Sequence, residues 1–132
     1  MPDLLIPADH LDLVQRPGVV TLTTIGPSGY PQSSAIWFTL GEDGLVRTSL
    51  TKVRQKYRNL AARPVASYFW IDPANPYRTL EVRGDVRIEE DTDLSYIRAL
   101  AARYGTTPEA AGIPLDDRVI VTLLPTRIRT NG

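Results

Sequence analysis

The chain has 132 residues, with 15 Lys and Arg against 15 Asp and Glu, one His and no Cys. That length suits a single domain over 1–132 with a core of its own, and the missing Cys excludes disulfide scaffolds, thiolate zinc sites and thiol nucleophiles. Zero net charge argues against a dedicated nucleic-acid binder, a lone His10 leaves little for an imidazole metal site or a triad, and no apolar run approaches the roughly 20 residues of a membrane span.

The opening MPDLLIPADH has no basic n-region and carries an early Asp3. It does not read as a signal peptide, so a cytoplasmic chain is expected. No repeat or low-complexity stretch follows, and the 11 Pro fall at turn positions. Residues 8–15 suggest a short helix, ended by Arg16-Pro17-Gly18. The β-branched run 18–25 predicts a strand, Gly26 to Gly29 a turn, and 31–40 a second strand. Gly41-Glu42-Asp43-Gly44 is a hairpin turn, with Asp-Gly supplying positive φ, and 45–50 is a third strand completing a meander.

A helix is expected over 52–63, where Val53, Tyr57, Leu60 and Ala61 share one face, and Pro64 stops it. Residues 65–71 form an aromatic-rich strand, and 77–89 alternate around Gly84, where a bulge is expected. Thr92 is placed to cap a helix over 93–104 that ends at Gly105, with a short helical turn at 107–111. Residues 118–124 make the last strand, which 126–130 can continue beyond Pro125. Six strands joined mostly by short turns, with two main helices, predict a mainly β fold: a closed or nearly closed antiparallel barrel with helices over its ends.

Charge is balanced globally but not locally. Between Gly44 and Ile71 there is no acidic residue, while Arg47, Lys52, Arg54, Lys56, Arg58 and Arg63 all fall there, and the chain's two Lys are among them. Lys52, Arg54 and Lys56 crowd the start of the expected helix, where the helix dipole and unpaired N–H groups already favour anions. Thr48, Ser49 and Thr51 lead into it with hydroxyls. Hydroxyls, a helix N-terminus and cations together describe a phosphate site. The plainer alternative is a solvated basic face paired with carboxylates elsewhere.

The segments PQSSAIWF, RTSLTKVRQKYRNL, ARPVASYFWIDPANPYRTLEVRGDVRIEED and VIVTLLPTRIR resemble the flavin- and deazaflavin-binding split β-barrel proteins. That superfamily includes the pyridoxamine 5'-phosphate oxidases, and the likeness is greatest to its shorter, F420-dependent branch. It implies a six-stranded split barrel, a homodimer, and two cofactor sites at the subunit interface. It further implies that Thr48, Ser49, Arg54, Gln55 and Lys56 grip the cofactor phosphate, with Lys56 best matched and Asn59 bracing that loop.

Ser34 lies on the strand that runs beside the ring in the family. Trp37 either stacks on or edges that ring, or serves as a core or dimer-interface aromatic. Tyr77 and Arg78 match a strand start that reaches the partner's cofactor; for Arg78, pairing with a surface carboxylate is the equal alternative. Ser34 and Thr39 stand where the oxidases carry Arg and Lys, and Thr79 where they carry Gln. These departures shift weight from FMN to F420 and away from pyridoxamine phosphate as substrate.

The resemblance thus implies hydride transfer from a deazaflavin to an unsaturated small molecule. An FMN-dependent oxidoreductase and a non-catalytic flavin or F420 carrier or sensor are the alternatives. No metal, nucleic acid or membrane is called for, and no catalytic acid is evident.

Overall fold

The β-branched and apolar runs form seven strands in the computed structural model, which describes residues 4–132. They are β1 Val20–Ile25, β2 Pro31–Ile36, β3 Thr39–Leu40, β4 Val46–Thr51, β5 Val65–Asp72, β6 Asn75–Glu90 and β7 Arg118–Asn131. Asp3, in the N-terminal segment MPDLLIPADH, lies outside the described residues. All pairings are antiparallel, in the order β2-β1-β5-β6-β7-β4-β3.

The seventh strand corrects the expectation of six. Residues 31–40 do not form one strand of a meander: β2 pairs with β1, and β3 pairs with β4 at the opposite end of the strand order. Only Trp37 and Phe38 separate β2 from β3. Consecutive Cα atoms lie about 3.8 Å apart, so so short a link brings the two ends of the sheet close together and curls it on itself. Phe38 is fully buried at this crossing. The Tyr104 hydroxyl pins the crossing, accepting from the Gly18 and Phe38 N–H groups and donating to the Gly18 carbonyl at 2.6 Å.

Inside the curl, alternate residues pack the core. Val20, Leu22 and Thr24 of β1 are buried while their neighbours are partly exposed. Val20 and Leu22 share the core with Tyr68 of β5, Leu80 and Val82 of β6, and Val121 and Leu123 of β7. Each large apolar side chain buried this way stabilises by roughly 1.5–3 kcal/mol. Trp70 packs edge-on against Phe38, with ring centroids 5.5 Å apart. The expected bulge falls at Gly84, where the β6–β7 register shifts opposite Pro125. A Cβ on Gly84 would run into the Leu124 carbonyl oxygen.

Four short helices complete the chain: α1 Asp12–Gln15, α2 Gln55–Ala62, α3 Ser95–Arg103 and α4 Pro108–Ala111. A 3-10 turn at Ala8–His10 precedes α1. Helix α2 packs on β1 and buries Leu60 and Asn59. It starts at Gln55, three residues later than expected, so Lys52 stands before it. Thr92 does not cap α3: the residue before the helix is Leu94, in the left-handed region at φ 62°. The Asp91 carboxylate instead accepts from the N–H groups of Tyr96 and Ile97. Gly105, at φ 75°, follows α3 as expected. Among the described residues no helix is long and apolar enough to cross a membrane, and no cluster of acidic and His side chains is placed to hold a metal.

Candidate functional site

Pairing of β4 with β7, together with the start of α2, converges three cations. Arg54 is the residue preceding α2, Lys56 lies in its first turn, and Arg118 opens β7 directly opposite Thr51. All three line one cavity of about 420 Å³ with Trp37, Ser49 and Thr51, floored by apolar side chains that include Ile36, Leu50 and Ile97. A second recess of about 220 Å³ shares Arg54 and Lys56 with it and adds Gln55, Gln32, Ser33 and Ser34. Every residue lining it carries a polar side chain.

The charges here are unmatched. Among the described residues no carboxylate lies at ion-pair distance from Arg54, Lys56 or Arg118. Lys56 Nζ donates to Ser34 Oγ at 3.1 Å, and Arg118 donates to Ser49 Oγ at 2.9 Å through Nη2. Burial pushes the Lys56 ammonium below its ordinary pKa, and the Arg54 charge pushes the same way. Arg118 is lowered too, first by burial; Asp91 opposes that and Arg54 adds to it. Like charges held together at a desolvated site are unfavourable until an anion joins them. The N–H groups of Gln55, Lys56 and Tyr57 find no acceptor among the described residues, so the helix start adds its own donors.

Asn59 is buried and fixes the shape of this corner. Its amide donates to Gln32 Oε1 at 2.8 Å and Thr24 Oγ1 at 3.0 Å, and its carbonyl accepts from Gln55 Nε2 at 2.8 Å. The network ties α2 to the β1–β2 hairpin.

Trp37 joins the site from the crossing between β2 and β3. Its indole stacks on Tyr104, with centroids 4.3 Å apart and planes 6° from parallel, and it lines the main cavity.

The other expected residues fall elsewhere. Thr48 is buried, and its hydroxyl donates to the Trp37 carbonyl at 2.7 Å; it supports the crossing and faces neither recess. Lys52 is matched by Glu90 at 2.8 Å, so it does not join the unmatched cations. Arg78 is held by Asp12 and Asp72 and by the Asp9 carbonyl, the carboxylate-paired alternative. Tyr77, beside it, is 80 % exposed. Sequence reasoning missed Arg118, Gln32 and Tyr104. Arg118 sits 62 residues beyond Lys56 in an ordinary strand, and no local signal marks it; the β4–β7 register alone brings it here.

The chain matches the family described as Pyridoxamine 5'-phosphate oxidase over residues 6–132. Among solved structures, it is similar to an F420 reductase at 38% identity, covering 94% of this chain and 98% of that one with a TM-score of 0.83. It is also similar to a conserved hypothetical protein from Mycobacterium tuberculosis, at 25% identity over 99% and 88% of the two chains and a TM-score of 0.78. The heme storage protein HutZ from Vibrio cholerae shares the fold, at 19% identity over 98% and 96% with a TM-score of 0.71. No curated protein matches the chain significantly.

Proposed function

The chain belongs to the pyridoxamine 5'-phosphate oxidase family, and from that premise we propose that it is an F420-dependent oxidoreductase acting on an unsaturated small molecule. The observation that carries the reading is the set of three cations, unmatched by carboxylates among the described residues, on one cavity. The 38% identity to an F420 reductase supports it.

A deazaflavin coenzyme with an anionic tail fits these residues. Arg54 and Lys56 receive the tail phosphate together with the free N–H groups of α2. Ser34 keeps Lys56 in place, and Ser49 does the same for Arg118. Trp37 walls the ring region, and Ile36, Leu50, Ile97 and Leu100 exclude water from it. When bound, the coenzyme supplies a hydride. Among the described residues no carboxylic acid or imidazole lines the cavity, so in this reading a hydroxyl or water delivers the proton. Ser34 of β2 and Thr39 of β3 supply none of the positive charge that the oxidases carry at the matching positions, which disfavours FMN held as in the oxidases. The functional unit in this reading is a homodimer in the cytoplasm, with Tyr77 free to meet the partner.

Side-by-side titration with F420 and FMN tests this. F420 is expected to bind more tightly, read from its band near roughly 420 nm against about 450 nm for FMN. Tighter FMN binding moves the chain to flavin chemistry. Tight F420 binding without turnover of any acceptor makes it a carrier.

A further inference from the structure

Lys52 and Lys56 are the chain's two lysines, and the fold gives them opposite surroundings. We propose that Lys56 is a modification site: a small acyl phosphate, held by the unmatched cations, transfers its acyl group to Lys56 Nζ and so closes the anion site. The modification rests on the cation cluster alone. Its effect on the coenzyme rests on the coenzyme reading above.

Three observations carry it. The first is access. Lys56 lines both the cavity of about 420 Å³ and the recess of about 220 Å³. Its hydrogen bond to Ser34 Oγ, at 3.1 Å, holds Nζ on the wall of the smaller one, which Ser34 also lines.

The second is the state of the amine. Only a neutral amine is a nucleophile, and a lysine loses its proton more readily when desolvated beside another cation. The charged groups lining these recesses with Lys56 are Arg54, before α2, and Arg118, on β7; β2 adds the neutral Gln32, Ser33 and Ser34. Arg58 is turned instead to Gln55 and the Val53 carbonyl. Burial and Arg54 both favour loss of the Lys56 proton. Lys52 is the opposite case: its Nζ lies 2.8 Å from Glu90 Oε2, which holds it as the ammonium.

The third is a receiver for the leaving group. Among the described residues Arg54 and Arg118 have no carboxylate at ion-pair distance. The phosphate end of an acyl phosphate meets these guanidinium groups, and the negative charge that grows on it during transfer is stabilised there. Nζ attacks the acyl carbon. The N–C bond forms, the C–O bond to phosphate breaks with its electron pair on oxygen, and the proton shed by nitrogen ends on the released phosphate. Nothing is oxidised or reduced. The resulting amide keeps the Lys56 stem but not its charge.

The test incubates the whole protein with acetyl phosphate and follows both lysines by peptide mass mapping. Lys56 is expected to be acetylated roughly tenfold faster than Lys52 or more. Its rate should saturate with acetyl phosphate, rise toward alkaline pH and fall when inorganic phosphate competes. Arg118→Gln is expected to weaken the saturation and leave labelling of Lys52 unchanged. Should that variant fold poorly, phosphate competition on the unaltered chain makes the same comparison. Acetic anhydride, which carries no phosphate, should label Lys56 without that competition. Equal labelling of the two lysines overturns the proposal, and so does labelling of Lys56 that phosphate does not slow. F420 affinity of the acetylated protein is read separately and should fall about tenfold. Selective acetylation of Lys56 in a protein that never binds F420 would sink the coenzyme reading and leave the modification standing. F420 binding with Lys56 inert to acetyl phosphate would do the opposite.

Discussion

Lys56 concentrates the functional argument in one side chain. It is half-buried, shifted downward by desolvation and by Arg54, and bonded only to a neutral serine hydroxyl. A charge-assisted contact is worth roughly 1.5–3 kcal/mol, so Lys56→Ala should weaken F420 binding about tenfold or more in a titration. Unchanged affinity would remove the phosphate site. The lowered pKa also gives a pH dependence: only the ammonium form attracts an anion, so affinity should fall with rising pH earlier than a fully solvated lysine would allow. Binding isotherms across the alkaline range check this. Asn59 supports the same corner by structure. Asn59→Ala leaves the buried Thr24 hydroxyl without its donor, whereas the exposed Gln32 can turn to water, and an unsatisfied buried group costs about 1–3 kcal/mol. Urea unfolding should show a loss of that size, with a smaller effect for a surface change such as Arg63→Ala.

Two turns between elements make their own predictions. In the turn before β4, Arg47 grips both oxygens of Asp43 and holds its carboxyl down at about 2. The ordinary value is 3.8, so this pair stabilises the fold fully above about pH 4, and the contribution is lost as pH falls through about 2. Asp43→Asn should therefore flatten the acid limb of a thermal-midpoint profile between roughly pH 4 and pH 2. The effect will be small, because the pair is solvent-screened. At the β6 bulge, Gly84→Ala forces a methyl against the Leu124 carbonyl and should cost about 1–3 kcal/mol in chemical unfolding. The sequence shows Gly84 and Pro125 separately; that they face each other follows only from the β6–β7 register.

For the assembled fold, the curl is what makes the site. It sets the ends of the strand order near each other and puts Trp37 at their junction, beside a helix from one part of the chain and an arginine from another. The same shape leaves Val19, Tyr30, Val53 and Tyr77 exposed. Apolar surface of that kind is expected to be shared with a second copy. Sedimentation at micromolar concentration should give twice the mass of the chain, and a monomer would contradict a site completed by two subunits.

Alternation and turn residues are local properties, since they depend on neighbours within a few positions. For that reason the strands, the Gly84 bulge and the acid-free stretch around Lys56 could be read directly from the chain. Whether a given cation is free or matched depends on groups far away in sequence. Lys52 meets Glu90, Arg78 meets Asp12 and Asp72, and Arg54 and Lys56 meet Arg118 instead of a carboxylate. The split of residues 31–40 into two strands is equally non-local, because it is set by where the sheet closes. Chain order supplied the cations; the tertiary fold decided which of them line one cavity without a carboxylate partner among the described residues.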